Sequence, residues 1–250
     1  MELTERFRHL KLLTRLGNSL QQLARASSSC CLCGSACQQF SLLCDVCYHD
    51  LPHFYYAQLA GDLLNWPAIY QHINHQSFDH LVCLSPYIWP VNQWISALKF
   101  QRKFELASLL GQLLYQLFQS NELVSYLTND AVIIPVPIHI KRWQQRGYNQ
   151  AHLIAQAFAQ QSKIPLQSNL LIKAVNQSSQ VGKSGSARRR NNLTSFQLNP
   201  HATVPKHILL VDDVLTTGTT VNNIATLLKR QGVRSITVIT AAITLPKLGK

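Results

Sequence analysis

Long apolar runs are missing from this chain. No stretch approaches the ~18 uncharged apolar residues that a membrane-crossing helix needs, so no membrane span is expected. Residues 1–25 break leucine up with charge and hold no continuous apolar segment, which argues against a secretory leader and for a cytoplasmic location. Charge is sparse too, at 14% of 250 residues, while 46% are hydrophobic; a disordered chain would show the opposite balance. Acidic residues are scarcest in the second half. Residues 131–250 carry fifteen Lys and Arg but only two acids, Asp212 and Asp213, a net +13. Residues 1–130 carry eight basic and nine acidic side chains, a net −1. A basic half that keeps one carboxylate pair is suited to receiving an anion. Charge alone does not separate a phosphorylated small molecule from nucleic acid.

Cysteine is absent from residues 51–82, yet six of the seven cysteines crowd into residues 30–47. Cys30-x2-Cys33 and Cys44-x2-Cys47 are separated by ten residues. Two such knuckles place four thiolates around one tetrahedral Zn²⁺, because each short spacing turns both sulfurs toward one ion. Cys31 is an alternative to Cys30, and Cys37 is either a bystander or a further alternative. Four thiolates leave no open coordination position, so the expected zinc is structural. With no secretory leader expected, a disulfide framework is disfavoured. Cys83, inside Leu81-Val82-Cys83-Leu84, reads as core.

Leucines at helical spacing between Leu3 and Ala24 predict an amphipathic helix. His80–Trp89 predicts a strand that turns at Pro86, with helices over Val91–Phe100 and Phe104–Leu117. The apolar run Ala131–Val136 predicts a buried parallel strand. A basic loop is expected over His139–Tyr148 and a helix over Asn149–Gln160. Leu170–Val175 and Ser195–Leu198 are short strand candidates. Between them, residues 176–192 are polar and carry Arg188, Arg189 and Arg190, which predicts a mobile loop. The end of the chain predicts strand His207–Val211, helix Thr219–Arg230 and strand Ser235–Thr240. Alternation of this kind implies an α/β fold with a parallel sheet flanked by helices.

The stretch Ile208-Leu209-Leu210-Val211-Asp212-Asp213-Val214-Leu215-Thr216-Thr217-Gly218-Thr219-Thr220 carries the chemistry. An apolar strand ends in two carboxylates, and a Thr/Gly loop then opens a helix. Ligands of open α/β sheets bind at the carboxyl ends of strands. A helix N-terminus offers free N–H groups and a positive dipole end to a phosphate. Gly218 permits close backbone approach, and the hydroxyls of Thr216, Thr217, Thr219 and Thr220 add donors. Adjacent carboxylates accept hydrogen bonds from a vicinal diol. The combination fits a ribose 5-phosphate, with its diol on the acids and its phosphate in the loop.

This segment resembles the phosphoribosyl pyrophosphate (PRPP) signature of type I phosphoribosyltransferases. Around it, in order, stand the cysteine knuckle, Lys99-Phe100, Pro135-Val136-Pro137, Arg146-Gly147-Tyr148-Asn149-Gln150, Gln180, and Arg188–Asn191 with Phe196. That order resembles the ComF/GntX family, associated with natural competence and DNA uptake, from about Cys30 to Thr240. The resemblance implies four regions. Residues 1–28 would be the amphipathic helix and 29–50 the zinc knuckle. Residues 51–130 would be a helical connecting region with a strand, and 131–245 a phosphoribosyltransferase-like domain. It implies PRPP bound with Mg²⁺, with Asp212 and Asp213 as the catalytic pair. Arg146 and Gly147 would contact pyrophosphate, assisted by Lys141 and Arg142. Arg188, Arg189 and Arg190, in the polar loop, would either close over pyrophosphate as a lid or bind nucleic acid, and Gln180 is a further candidate for the lid. It also brings single-stranded DNA and the DNA-uptake machinery forward as partners. Phosphoribosyl transfer to a nitrogen nucleophile with pyrophosphate leaving, DNA handling without catalysis, and PRPP or nucleotide sensing all remain open at this level. Many relatives carry a second pair of knuckles; the cysteine-free residues 51–82 leave room for only one zinc, and the leucine-rich N-terminus is a second departure.

Overall fold

The computed structural model describes residues 28–73, 77–121, 130–173 and 196–246. The segment Leu3–Ala24 and the loop bearing Gln180, Arg188, Arg189 and Arg190 lie outside the described residues. The chain divides into two units between Leu51 and Pro52.

In the first unit, Ser29 and Ala36 form an antiparallel bridge around the turn at residues 31–34. The backbone closes it by Cys30 N–H donating to the Ser35 carbonyl (2.7 Å) and Gly34 N–H to that of Cys30 (2.9 Å). The short helix α1 (Asp45–His49) follows, with Cys44 as its N-cap; the Cys44 sulfur accepts from Cys47 N–H at 3.5 Å. Phe40 packs against Tyr48, ring centroids 4.8 Å apart.

The second unit is built on a sheet. Two 3₁₀ turns (Tyr56–Leu59, Leu63–Asn65) and helix α2 (Pro67–His72, started by its proline at N1) lead into strand β1 (His80–Pro86). Helices α3 (Val91–Phe100) and α4 (Glu105–Gln119) follow, then β2 (Ala131–Pro135). Helices α5 (Ile140–Arg146) and α6 (Gln150–Ser162) precede the short strands β3 (Leu171–Lys173) and β4 (Phe196–Leu198). Strand β5 (His207–Leu215), helix α7 (Thr219–Lys229) and strand β6 (Ser235–Ile243) complete the unit. The main sheet is parallel throughout, in the order β1-β6-β5-β2, and β3 pairs antiparallel with β4 as a separate ribbon.

Burial on both faces explains the apolar runs of β5 and β6. Ile208 and Leu210 join Val221, Ile224 and Leu228 of α7 in one cluster. Leu209 and Val211, also buried, point to the opposite face by strand alternation, where α4 and α6 pack. The sheet therefore takes β1 from residues 51–130 as well as three strands from residues 131–245.

Several boundaries differ from the sequence reading, three of them at the site. The expected basic loop 139–148 is mostly helix. His139 caps α5, its Nδ1 accepting from Lys141 N–H (3.2 Å), and Gly147 ends it. Asn149, expected inside a helix, is the N-cap of α6, its Oδ1 accepting from Ala151 N–H (3.1 Å). Strand β5, expected to stop at Val211, runs to Leu215, because β6 pairs with it through Asp212–Thr240, Val214–Ala242 and Leu215–Ile243. Cross-strand pairing here outweighs the poor β propensity of aspartate.

Candidate ligand pocket and cysteine cluster

The carboxyl ends of β1, β2, β5 and β6 open into one cavity of about 480 Å³. Asp212, Asp213, Thr216 and Thr220 line it from β5 and its following loop, Arg142 and Arg146 from α5, Asn149 and Gln150 from the start of α6. Tyr87, Lys99 and Lys173 complete its polar wall. Residues far apart in sequence thus meet at the strand ends, as open parallel sheets require of their ligand sites.

The two acids are not equivalent. Asp213 forms an ion pair with Lys99, Nζ to Oδ2 at 2.7 Å, with both side chains largely buried. Among the described residues Asp212 has no such cation. Its Oδ1 accepts the Asp213 N–H at 2.8 Å. Burial, then the neighbouring Asp213 charge, push the Asp212 carboxyl up to about 8, against the opposing effects of the Asp213 N–H and Lys99. The pocket therefore presents one ion-paired carboxylate beside one that holds its proton near neutrality.

The Thr/Gly loop behaves as a helix entrance. Gly218 is the N-cap of α7 in the left-handed region (φ 74°), and no side chain caps the helix. The first-turn N–H groups of a helix have no intrahelical partner, which leaves them available to an anion. Thr216 and Thr220 reach the pocket, while the Thr217 and Thr219 hydroxyls hydrogen-bond each other at 2.9 Å. The side of Gly218 on which a Cβ would grow is filled by Ile73, whose Cγ2 would lie 2.6 Å away. Glycine is thus required here by backbone conformation and packing.

The segment Arg146-Gly147-Tyr148-Asn149-Gln150 acts as a connector as much as a site. The Arg146 guanidinium lies over the Phe100 ring (5.1 Å to its centroid) while still lining the pocket. Gly147 turns the chain at φ 82° to cap α5, and it faces an adjoining groove with Trp143 and His152 instead of the acid pocket. Tyr148 packs edge-on against Phe104 and donates its hydroxyl to the Leu98 carbonyl. Asn149 Nδ2 donates to the Val136 carbonyl (2.9 Å), which fixes the start of α6 to the end of β2.

Sequence reasoning assigned no role to Lys99, Lys173, Tyr87 or Gln150. Lys173 ends β3, stands 4.9 Å from the Phe196 ring centroid, and has its pKa lowered by burial and then by Arg142, with Asp212 opposing. The pairing Lys99-Phe100 was visible in the sequence as a motif, but not that its ammonium spans to Asp213. Lys141 is exposed on α5 and does not line the pocket.

In the first unit, the sulfurs of Cys30, Cys33, Cys44 and Cys47 lie within 4.8 Å of one another, with Cys33 and Cys44 at 3.6 Å. Tetrahedral zinc with Zn–S near 2.3 Å sets sulfurs ~3.8 Å apart, so the donor set fits and can hold a metal such as zinc. Hydrogen bonds from Ser35, and from the sulfurs of Cys47 and Cys44, lower the Cys33 thiol to about 6, favouring the ligating thiolate. Cys30, not Cys31, belongs to the cluster; Cys31 is exposed and Cys37 is buried outside it. Among the described residues no cysteine is in a disulfide, and no helix is long and apolar enough to cross a membrane.

Known proteins resemble this chain over most of its length. Residues 144–246 match the phosphoribosyl transferase domain. The chain is 34% identical over 204 residues to competence protein F of Haemophilus influenzae, covering 78% of this chain and 88% of that protein. It is 31% identical over 212 residues to the DNA utilization protein YhgH of Salmonella typhimurium, covering 84% and 87%. It is 31% identical over 146 residues to competence protein ComFC of Streptococcus pneumoniae, covering 58% and 60%. The chain belongs to the ComF family, the competence and DNA utilization proteins built on a phosphoribosyltransferase-like domain.

Proposed function

We propose that this protein binds PRPP or a closely related phosphorylated ribose at the strand-end pocket and serves DNA uptake or utilization in the cytoplasm. The observation that carries the reading is the convergence of Asp212, Asp213, Thr216, Thr220, Arg142, Arg146 and Lys173 on one cavity. The ribose diol meets the carboxyl groups of Asp212 and Asp213. The 5-phosphate meets the uncapped start of α7 and the hydroxyls of Thr216 to Thr220. Arg142, Arg146 and Lys173 oppose the pyrophosphate charge. Mg²⁺, when bound with the ligand, would supply charge neutralisation to the pyrophosphate. Asp213 is the nearer of the two acids to ionised recognition, since Lys99 already holds its negative charge in place. Gln180, Arg188 and Arg189 are assigned to a lid over this pocket, on their sequence alone. The cysteine cluster holds a structural zinc.

Calorimetric titration with PRPP, with and without Mg²⁺, tests this reading. Wild type should bind, and the double variant Asp212→Asn, Asp213→Asn should lose binding; equal affinity in both would sink it. Pyrophosphate release with candidate acceptors measures turnover separately from binding.

A second reading, contact with single-stranded DNA, is favoured by the net +13 of residues 131–250. It predicts a steep salt dependence of oligonucleotide affinity, weakened by replacing Arg188, Arg189 and Arg190 with alanine.

A further inference from the structure

Gln150 opens α6, a helix of 13 residues. The residue is 3% exposed and lines the acid pocket. Its amide nitrogen is buried and finds no hydrogen-bond partner among the described residues. A buried donor left unpaired costs stability that an apolar residue of the same shape would not. The conformation that imposes this cost is fixed by its neighbour. Asn149 bonds to the Val136 carbonyl and caps the helix through Ala151 N–H, so Gln150 is held at the first helical position against the pocket.

The surroundings say what kind of partner is missing. A carboxamide NH₂ offers only donors, and the start of α6 adds a helix dipole's positive end. Arg142, Arg146 and Lys173 line the same cavity. The acids Asp212 and Asp213 lie there too; Asp213 is ion-paired with Lys99, and both take the diol under the reading above. Donors and cations that converge in this way recognise an oxyanion. The Thr216–Thr220 loop, at the start of a different helix, is the other anion cradle and takes the 5-phosphate under the reading above.

We propose that Gln150 is a specificity-determining residue of the pocket, whose carboxamide donates to a phosphoryl oxygen of the pyrophosphate group of the ligand. This rests on the PRPP reading and extends it by naming a neutral donor that, beside Arg142, Arg146 and Lys173, favours a pyrophosphorylated sugar over ribose 5-phosphate alone. No bond is made or broken by Gln150; it acts by binding.

The test compares wild type, Gln150→Leu, Gln150→Glu and the double variant Asp212→Asn, Asp213→Asn. Each is titrated with Mg²⁺–pyrophosphate and with Mg²⁺–PRPP, and each is melted without ligand. Gln150→Leu and Gln150→Glu should both weaken pyrophosphate and PRPP about tenfold or more. Gln150→Leu should at the same time melt no lower than wild type, because it removes the unpaired amide. The acid double variant should lose PRPP and keep pyrophosphate. Pyrophosphate affinity within twofold of wild type in Gln150→Leu overturns the inference, as does wild type that binds PRPP but not pyrophosphate. A Gln150→Leu melting point that falls in parallel with affinity assigns Gln150 to packing and also overturns it. If wild type binds no PRPP at all, the broader reading falls first and takes this one with it.

Discussion

Replacing Asp212 by asparagine should stabilise the protein, and by an amount that depends on pH. In the unfolded chain the carboxyl titrates at its ordinary 3.8; in the folded chain it titrates at about 8, raised first by burial and then by the Asp213 charge. The folded state therefore holds the proton more tightly. The contribution of this group to stability is full below about pH 4 and is lost as pH rises through about 8. Converted at 1.36 kcal/mol per pH unit, the rise corresponds to about 5–6 kcal/mol. Asp212 borders the pocket and is partly accessible, so solvent screens roughly half of this, leaving about 3 kcal/mol. At roughly 2–4 °C per kcal/mol for a chain of this size, the gain is about 6–12 °C in melting temperature at pH 9. Asparagine keeps the shape and cannot ionise. Thermal or urea unfolding of wild type and Asp212→Asn at pH 4.5, 6, 7.5 and 9 reads the difference directly. The two curves should meet near pH 4 and diverge upward. A difference that is the same at pH 4.5 and pH 9, or a variant less stable than wild type at pH 9, would refute the account of Asp212 as a carboxyl held neutral by its surroundings.

Lys99→Met leaves the Asp213 carboxylate buried without its cation, at a cost of about 3 kcal/mol near pH 7, measured by urea unfolding. Because that loss comes from an unpaired charge, Asp213→Asn in the same background should recover most of it. Purified protein should carry one zinc per chain by metal analysis, and strong chelation should release it with loss of structure confined to the first unit. Cys33→Ser should abolish that stoichiometry while Cys31→Ser leaves it intact, since only Cys33 belongs to the four-sulfur cluster.

Local rules made a large part of this molecule readable. The helix Val91–Phe100 follows from its apolar spacing and ends where the sequence reading ends it. The apolar runs at Ala131, His207 and Ser235 are strands of a sheet buried on both faces, which is why they read as continuous and not alternating. The two cysteine knuckles are legible because the ligand spacing is itself local; the choice of Cys30 over Cys31 waited for the turn that aims one sulfur inward and leaves the other exposed. The basic segment after His139 misled, because its charges mask a helix whose caps, His139 and Gly147, decide it.

The sequence by itself determined which chemistry the chain carries: two acids and a Thr/Gly loop after an apolar strand, and four thiolates at zinc spacing. Tertiary structure alone decided how the acids differ. Lys99 reaches Asp213 from a helix more than a hundred residues away, while Asp212 is left to burial and keeps its proton. It also decided that Gln150 and Lys173 share that pocket. Spacing along the chain fixes which groups are available, but ionisation and hydrogen bonding depend on distance and dielectric in space, and those exist only once the sheet has brought its strand ends together.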